Sequence, residues 1–150
     1  MRHRDRPFAR RIVLVVASAA LGAAVKADDA SFASVNHAVG AGGAAIYSHI
    51  CQGCHMPQAQ GASGAGHYPR LAGDRALLSR DYVAMRVLNG KNDMPAFGQL
   101  PDPGLERFSA HLSDAEVADV VNYVRSNFGN HYRDKITPEE VAALPHPTPP

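Results

Sequence analysis

Both cysteines of this chain lie in one short run, Cys51-Gln-Gly-Cys54-His55. Two cysteines can form at most one disulfide, which excludes a fold held by a disulfide framework. On one turn of helix the two thiols lie on the same side, where both can add to the vinyl groups of one porphyrin. The histidine that follows is then placed to ligate the iron. The run therefore predicts one covalently attached haem c, with His55 as an axial iron ligand.

Three alternative interpretations of this run fit less well. A structural zinc site takes four ligands and usually a second cysteine pair, but the chain has no further cysteine. A redox-active pair of the thioredoxin type needs a βαβ setting, and the sequence shows no sustained strand alternation. A disulfide between the two cysteines would leave the adjacent His55 unexplained.

The fold is predicted to be all-α, with three to five helices around the haem, because apolar residues recur at helical spacing. Helices are predicted over residues 40–50, 75–89, 112–128 and 137–144. Ser79 is a candidate N-cap of the second helix. Ser113 with Glu116, and Thr137 with Glu140, have the spacing of a capping box. So small a chain buries little surface by itself, and a covalent haem would supply much of its core.

The N-terminus has the pattern of an export signal. A basic stretch with five arginines precedes an apolar stretch over residues 12–25, which is too short to span a membrane comfortably. Val25 and Ala27 then provide small side chains at the two positions that a signal peptidase reads. We therefore predict cleavage after Ala27 and a periplasmic location; the alternative is an uncleaved N-terminal anchor.

Four segments are predicted along the chain. A signal peptide over 1–27 is followed by a flexible leader over 28–38, a haem domain over 39–130 and a C-terminal extension over 131–150. Beyond residue 27 the chain has nine Lys and Arg against thirteen Asp and Glu, a net charge of −4. The absence of a basic excess argues against nucleic-acid binding. A membrane is expected to be reached only indirectly, through partners. The extension is either a disordered end or a strap that docks on a partner.

The second axial position of the iron decides between electron transfer and ligand chemistry. Met94 is the preferred candidate, because a loop methionine followed by Pro95 is hard to explain by packing. Met56 is adjacent to His55 and cannot reach the opposite face of the ring. Met85 lies in a helical apolar pattern, which favours core packing. Beyond the predicted signal peptide, five further histidines are expected in exposed loops and tails: His37, His67, His111, His131 and His146. His49 lies too close to the attachment run in sequence to cross the ring.

Three separate motifs make residues 39–130 resemble the class I cytochrome c family. The first is the predicted helix that leads into the attachment run. The second is Tyr68-Pro69-Arg70-Leu71-Ala72-Gly73, which is similar to the family's loop beneath the proximal histidine. The third is Met94-Pro95-Ala96-Phe97 followed by the capped helix from Ser113.

The resemblance implies roles for further residues. The carbonyl of Pro69 would accept a hydrogen bond from Nδ1 of His55. Leu71 and Phe97 would pack on the porphyrin. Gly43 would let the first helix cross the last long helix closely, with Tyr47 packed among Val120, Tyr123 and Val124.

The resemblance also implies a function, that of a one-electron carrier and not an enzyme. The pattern is similar to the haem modules that serve periplasmic or membrane-associated dehydrogenases. A dehydrogenase would then donate electrons, and an oxidase or another cytochrome would accept them. The alternative is a haem enzyme or gas-binding sensor in which Met94 is displaceable. An insertion over Gln99–His111 departs from the pattern of those modules and affects the surface near the haem edge.

Overall fold

The computed structural model describes residues 42–64, 66–104 and 110–148. The predicted signal peptide and leader, the first residues of the haem domain and part of the insertion lie outside the described residues. In chain order the elements are α1 (Gly43–Ile46), a π-helical turn (Tyr47–Cys51), α2 (Gln52–His55), β1 (Ala62–Ser63), β2 (His67–Tyr68), a 3₁₀ turn (Arg75–Leu78), α3 (Arg80–Asn89), α4 (Asp114–Ser126) and α5 (Pro138–Ala142).

The prediction of a helical fold is confirmed, and the structure adds one small two-stranded sheet. Strands β1 and β2 pair antiparallel, with Ala62 opposite Tyr68 and Ser63 opposite His67. Two-residue strands are too short to produce an alternating pattern, so the sequence could not indicate them.

The first helical segment is longer than predicted, because it runs from Gly43 without a break through the cysteine run to His55. It ends at Met56, whose φ of 68° lies in the left-handed region. Between α1 and α2 the backbone widens to a π-helical turn, a local distortion that is frequent at functional sites. The attachment run is thus the C-terminal end of a helical segment.

The helix predicted over 75–89 is divided in two at Ser79. The backbone of Ser79 is extended, and its hydroxyl accepts a hydrogen bond from the Tyr82 N–H at 3.2 Å, as expected of an N-cap. A 3₁₀ turn precedes it and α3 follows. Helical spacing over 75–89 predicts Leu78 and Tyr82 on the apolar face of one continuous helix, but they are 68% and 42% exposed. The extended backbone of Ser79 interrupts the helix, so the residues on its two sides do not share one continuous apolar face.

Helix α4 is the centre of the core. Its predicted capping box is present: the Ser113 hydroxyl accepts from the Glu116 N–H, and the Glu116 carboxylate accepts from the Ser113 N–H at 2.8 Å. The valines of its apolar face are buried, and α4 packs against α1, α3 and α5. The close crossing with α1 is confirmed, because a Cβ on Gly43 would clash with the Asp119 carbonyl and lie 2.7 Å from the Cβ of Tyr123.

The described part of the C-terminal extension, up to residue 148, is folded against α4. Ile136 and Val141 are buried in the same core cluster as the valines of α4. The Asn122 side chain donates to the Ile136 carbonyl at 2.9 Å and accepts from the Ile136 N–H at 3.0 Å. Helix α5 begins with the predicted capping box of Thr137 and Glu140. These contacts contradict a disordered end for this stretch.

Candidate haem-binding site

A cavity of about 500 Å³ lies beside the attachment run, and its walls come from α2, the β2 strand and the loop after it, α3, the loop after α3, and α4. Its volume is in the range of about 300–1,000 Å³ typical of cofactor and ligand pockets. All seven residues that the sequence predicted to bind the haem or ligate its iron line it: Cys51, Cys54, His55, Pro69, Leu71, Met94 and Phe97. The cavity therefore brings these seven residues together, although as many as 46 positions separate them in the chain.

His55 is buried, and its ring is oriented by one hydrogen bond. Nδ1 lies 2.9 Å from the carbonyl oxygen of Pro69. A carbonyl oxygen can only accept, so Nδ1 carries the proton, and the neutral ring has its lone pair on Nε2. This is the arrangement that metal-ligating histidines adopt, since the hydrogen-bond acceptor behind the ring sets the tautomer and raises the basicity of the ligating nitrogen.

The loop between His55 and Leu71 brings Pro69 back to the histidine. The Ala59 carbonyl accepts from the N–H groups of Leu71 and Ala72 at 2.8 and 2.9 Å. The Gly61 N–H donates to the His55 carbonyl at 3.1 Å, and the β1–β2 pair closes the loop. The sequence does not indicate this network, because its partners are backbone groups whose pairing depends on the folded loop.

The Tyr47 side chain hydrogen-bonds to the turn that follows the attachment run. Its hydroxyl donates to the Met56 carbonyl at 2.7 Å. Burial raises the pKa of Tyr47 to about 12, so the hydroxyl stays protonated and remains a donor. The ring lies among Tyr123 and Phe128, with ring centroids at 5.9 and 4.7 Å. The residue thus links the turn after His55 to α4.

The two cysteines form no disulfide with each other; Cys51 is half-buried and Cys54 is exposed. Burial raises the pKa of the Cys51 thiol to about 12, and the neighbouring Cys54 contributes to the increase. A thiol in this environment is not the low-pKa thiolate of a redox-active pair. Within the described residues, no three His, Cys, Asp or Glu side chains are grouped so as to hold a metal ion. The zinc and thioredoxin-type alternatives therefore have no support in the geometry.

Met94 lies in a loop that is fastened to the end of α3. Its N–H donates to the Lys91 carbonyl at 3.0 Å, and its carbonyl accepts from the Lys91 N–H at 3.2 Å. The turn needs a glycine at position 90, where φ is 67° and a Cβ would lie 2.8 Å from the Pro95 carbonyl carbon. Further on, the Phe97 N–H donates to the Val87 carbonyl at 3.0 Å. Of the methionines in the described residues, Met94 is the one that lines the cavity.

The residues of this site fit a c-type haem. Two thiols, the His55 imidazole with its Nε2 lone pair and the Met94 thioether face a cavity whose walls are mainly aliphatic and aromatic. Thiols suit thioether attachment, imidazole and thioether sulfur are established axial ligands of haem iron, and apolar walls suit a porphyrin. Three further residues of the cavity wall, His67, Tyr82 and Arg86, carry no signal in the sequence that would place them there.

The family described as cytochrome c oxidase, cbb3-type, subunit III matches residues 38–124 of the chain. The chain belongs to this family of c-type cytochromes. Its cofactor is covalently bound haem c, and its small helical fold is that of the class I cytochromes c. Members of this family include a free cytochrome c and the cytochrome c subunits of dehydrogenases.

Several curated relatives match this cytochrome over about two thirds of its chain. The cytochrome c subunit of the quinone alcohol dehydrogenase of Gluconobacter oxydans (strain 621H) is 30% identical over 70% of this chain and 22% of its own. The gluconate 2-dehydrogenase cytochrome c subunit of Pantoea cypripedii is 31% identical over 68% and 23%. Cytochrome c-552 of Thermus thermophilus is 33% identical over 69% and 84%. The chain spans less than a quarter of the length of these two dehydrogenase subunits.

Helix α4, with 13 residues, is the longest that the structure describes. None of the helices in that part of the chain is both long and apolar enough to cross a membrane.

Proposed function

We propose that this cytochrome is a periplasmic one-electron carrier that receives electrons from a dehydrogenase and passes them to an oxidase or another cytochrome of a respiratory chain. Cys51 and Cys54 would hold the haem by thioether bonds, and His55 and Met94 would ligate its iron. The observation that carries the proposal is that the attachment run and the Met94 loop line one cavity.

The chain's own residues would set the properties of this site. When bound, the haem supplies an iron that alternates between the ferric and ferrous states. The hydrogen bond to Pro69 keeps Nε2 of His55 available as a ligand. Thioether ligation by Met94 would raise the reduction potential, since a methionine ligand favours the ferrous state. Leu71 and Phe97 are half-buried in the wall, where they would exclude water from the ring.

The proposed donor is supported by the names of the relatives. Three of them are cytochrome subunits of dehydrogenases that act on alcohols, gluconate or fructose. The periplasmic location is supported by the export pattern over residues 1–27. We propose that cleavage leaves a leader over 28–38, the haem domain over 39–130 and the extension over 131–150, whose described part packs on α4.

The first test of this proposal is the chemistry of the purified protein. Its mass should exceed that of the chain from residue 28 by one haem, and acid-acetone should fail to extract the colour. The ferric protein should show the weak sulfur-to-iron charge-transfer band of a methionine ligand. Extraction of free haem would contradict the roles of Cys51 and Cys54.

The second test is substitution of the distal ligand. Met94→Ala should abolish the charge-transfer band, lower the reduction potential and allow carbon monoxide or cyanide to bind. Met85→Ala is the matched control, because Met85 lies on α3 but not in the cavity wall. His67→Ala tests the second histidine that lines the cavity. Ready binding of carbon monoxide by the unmodified protein would favour the alternative, a haem enzyme or gas sensor.

A further inference from the structure

Asn130 is a buried polar residue that joins the end of α4 to the loop beside His55. It is 3% exposed, and its side-chain nitrogen lies 3.0 Å from the Leu71 carbonyl oxygen and 2.9 Å from the Val124 carbonyl oxygen. Carbonyl oxygens only accept, so the amide group donates one hydrogen to each of them. Leu71 and Val124 both line the haem cavity. One side chain therefore ties two separate parts of the cavity wall to each other.

A tight turn after α4 brings Asn130 into this position. Helix α4 ends at Ser126, and the φ angles of Phe128 and Gly129 are 56° and 79°, both in the left-handed region. This conformation is uncommon for a bulky residue such as phenylalanine. The turn is closed by the Asn130 N–H, which donates to the Asn127 carbonyl at 2.9 Å. Backbone strain of this kind persists where the surrounding contacts over-determine the conformation.

The tie reaches the loop close to the carbonyl that orients the histidine ring. Pro69 has no N–H, so its backbone cannot be fixed by a hydrogen bond of its own donation. In the described part of the chain, the nearest backbone hydrogen bonds after Pro69 are those of Leu71. The Leu71 N–H donates to the Ala59 carbonyl at 2.8 Å, and its carbonyl accepts from Asn130. The position of the Pro69 carbonyl, 2.9 Å from Nδ1 of His55, therefore depends on how firmly Leu71 is held.

We propose that Asn130 is a positioning residue for the proximal iron ligand: by fixing Leu71, it keeps the Pro69 carbonyl within hydrogen-bonding distance of His55. The proposal rests on the proposed function in one respect, the ligation of the iron by His55. It adds a residue 75 positions further along the chain, which touches neither the histidine nor the space for the haem.

The proposed role has two measurable consequences. The Pro69 carbonyl protects the Nδ1–H of His55 from exchange with solvent, since a hydrogen-bonded proton must first be released. The same acceptor raises the basicity of the ligating nitrogen, which stabilises ferric iron more than ferrous iron. Loss of the Asn130 donors should therefore speed the exchange of this proton and raise the reduction potential.

The experiment compares the parent holoprotein with Asn130→Leu, which has a similar side-chain volume and no donor. NMR of the reduced protein measures the exchange rate of the His55 Nδ1–H, and potentiometry measures the midpoint potential. We expect exchange to become faster by up to about tenfold, the equivalent of one hydrogen bond, and the potential to rise.

Asn122→Leu is the matched control. The Asn122 side chain also makes two hydrogen bonds to backbone groups, both on Ile136, but it lies outside the cavity wall. This variant should lose stability to urea, as Asn130→Leu should, because each breaks two hydrogen bonds. It should keep the parent's exchange rate and the parent's potential.

Two outcomes would overturn the proposal alone. One is an unchanged exchange rate or potential in an Asn130→Leu protein that has lost stability, which would make the role of Asn130 structural only. The other is an equal change in Asn122→Leu, which would indicate general loosening of α4. A parent that lacks covalent haem or histidine ligation would overturn the proposed function as well, and its own spectra would show this before any variant is made.

A second variant applies if Asn130→Leu does not accumulate as holoprotein. Asn130→Ala also lacks the two donors, and its smaller side chain cannot overpack the site. The same two changes are expected relative to Asn122→Ala. Parent values of both the exchange rate and the potential in Asn130→Ala would overturn the proposal.

Discussion

Arg125 has only 1% of its surface exposed and connects three parts of the chain. Its Nε donates to the Leu77 carbonyl at 2.9 Å, and Nη2 donates to the Leu78 carbonyl at 3.1 Å. Nη2 also lies 2.9 Å from both carboxylate oxygens of Asp134, and this hydrogen bond lowers the pKa of Asp134. Because Leu77 lines the haem cavity, Arg125 fastens a piece of the cavity wall to both α4 and the C-terminal extension.

Replacement of this side chain should be costly. In Arg125→Met the Leu77 and Leu78 carbonyls lose their donors, and Asp134 loses its counter-ion. Because two buried carbonyls each lose a donor, we expect the free energy of unfolding of the holoprotein to fall by on the order of 3 kcal/mol, measured by urea denaturation. Arg133→Met, at an exposed position of the extension, is the matched control. A loss of less than about 1 kcal/mol would show that the two carbonyls find other donors.

The sequence predicted single residues where chemistry imposes fixed spacing. Thioether attachment needs two thiols on one helical turn, so Cys51, Cys54 and His55 could be named without a structure. Arg86 and Arg125 could not, although the first lines the cavity and the second holds part of its wall. The buried partners of Arg125 include backbone carbonyls more than 40 positions away, and Arg86 Nε lacks a partner within the described part of the chain. No local pattern records contacts of these kinds.

At the scale of elements, the crossing of α1 and α4 depends on the glycine at position 43. In Gly43→Ala the new methyl group would meet the Asp119 backbone, which α4 holds rigidly. Overpacking of this kind typically costs about 1–3 kcal/mol, and we expect the upper part of that range in the unfolding free energy. Gly42→Ala is the control, since nothing lies within 4 Å of its added Cβ. Equal stability of Gly43→Ala and Gly42→Ala would mean that α1 and α4 move apart at little cost to accommodate the added methyl group.

The end of the extension carries a pH-dependent contact with the start of α4. Nε2 of His146 lies 2.8 Å from Oδ1 of Asp114. This hydrogen bond raises the pKa of His146, and a second one to the Leu144 carbonyl adds to the effect. A raised folded-state pKa means that the stabilisation is complete below the unfolded-state pKa, about 6.5. It is lost as the pH rises through the folded-state pKa.

His146→Gln should therefore lower stability more at pH 5.5 than at pH 8.5. The effect is expected to be small, because both side chains are about one-third exposed and solvent screens the pair. Urea denaturation at the two pH values measures it. In an Asp114→Asn background most of this pH dependence should be lost, since only the smaller contribution of the Leu144 carbonyl remains. His131→Gln, an exposed histidine, is a further control. A pH-independent loss from His146→Gln would contradict an ionic contact.

Element boundaries were predictable where local side chains set them. The capping boxes at Ser113 and Thr137 start α4 and α5 at the expected residues, because each box satisfies backbone N–H groups within its own first turn. Ser79 caps α3 as predicted, but the separate 3₁₀ turn before it and the β1–β2 pair were not expected. Ser79 is a good cap within an otherwise helical pattern, and the sequence alone does not show that the chain turns there to form a cavity wall.

At the scale of the whole molecule, charge and apolar exposure together describe the surface offered to partners. Tyr68 and Tyr82 line the cavity and are 37% and 42% exposed. Leu78, next to the cavity-lining Leu77, is 68% exposed. Beyond residue 27 the chain has two lysines, Lys91 and Lys135. A ring of lysines that steers an acidic partner is therefore impossible here.

Electron transfer from the donor should accordingly depend little on salt. A small apolar contact is not screened, whereas steering by exposed charges weakens beyond about 10 Å at 0.1 M salt. We expect the second-order rate of reduction by the donor dehydrogenase to fall less than about tenfold between low and physiological salt, against the far larger decrease of steered pairs. Stopped-flow reduction over a salt series measures this. Lys91→Gln should leave the salt dependence unchanged. A steep decline in the parent would mean that a basic partner recognises clustered acidic residues, and docking through apolar contact would then be wrong.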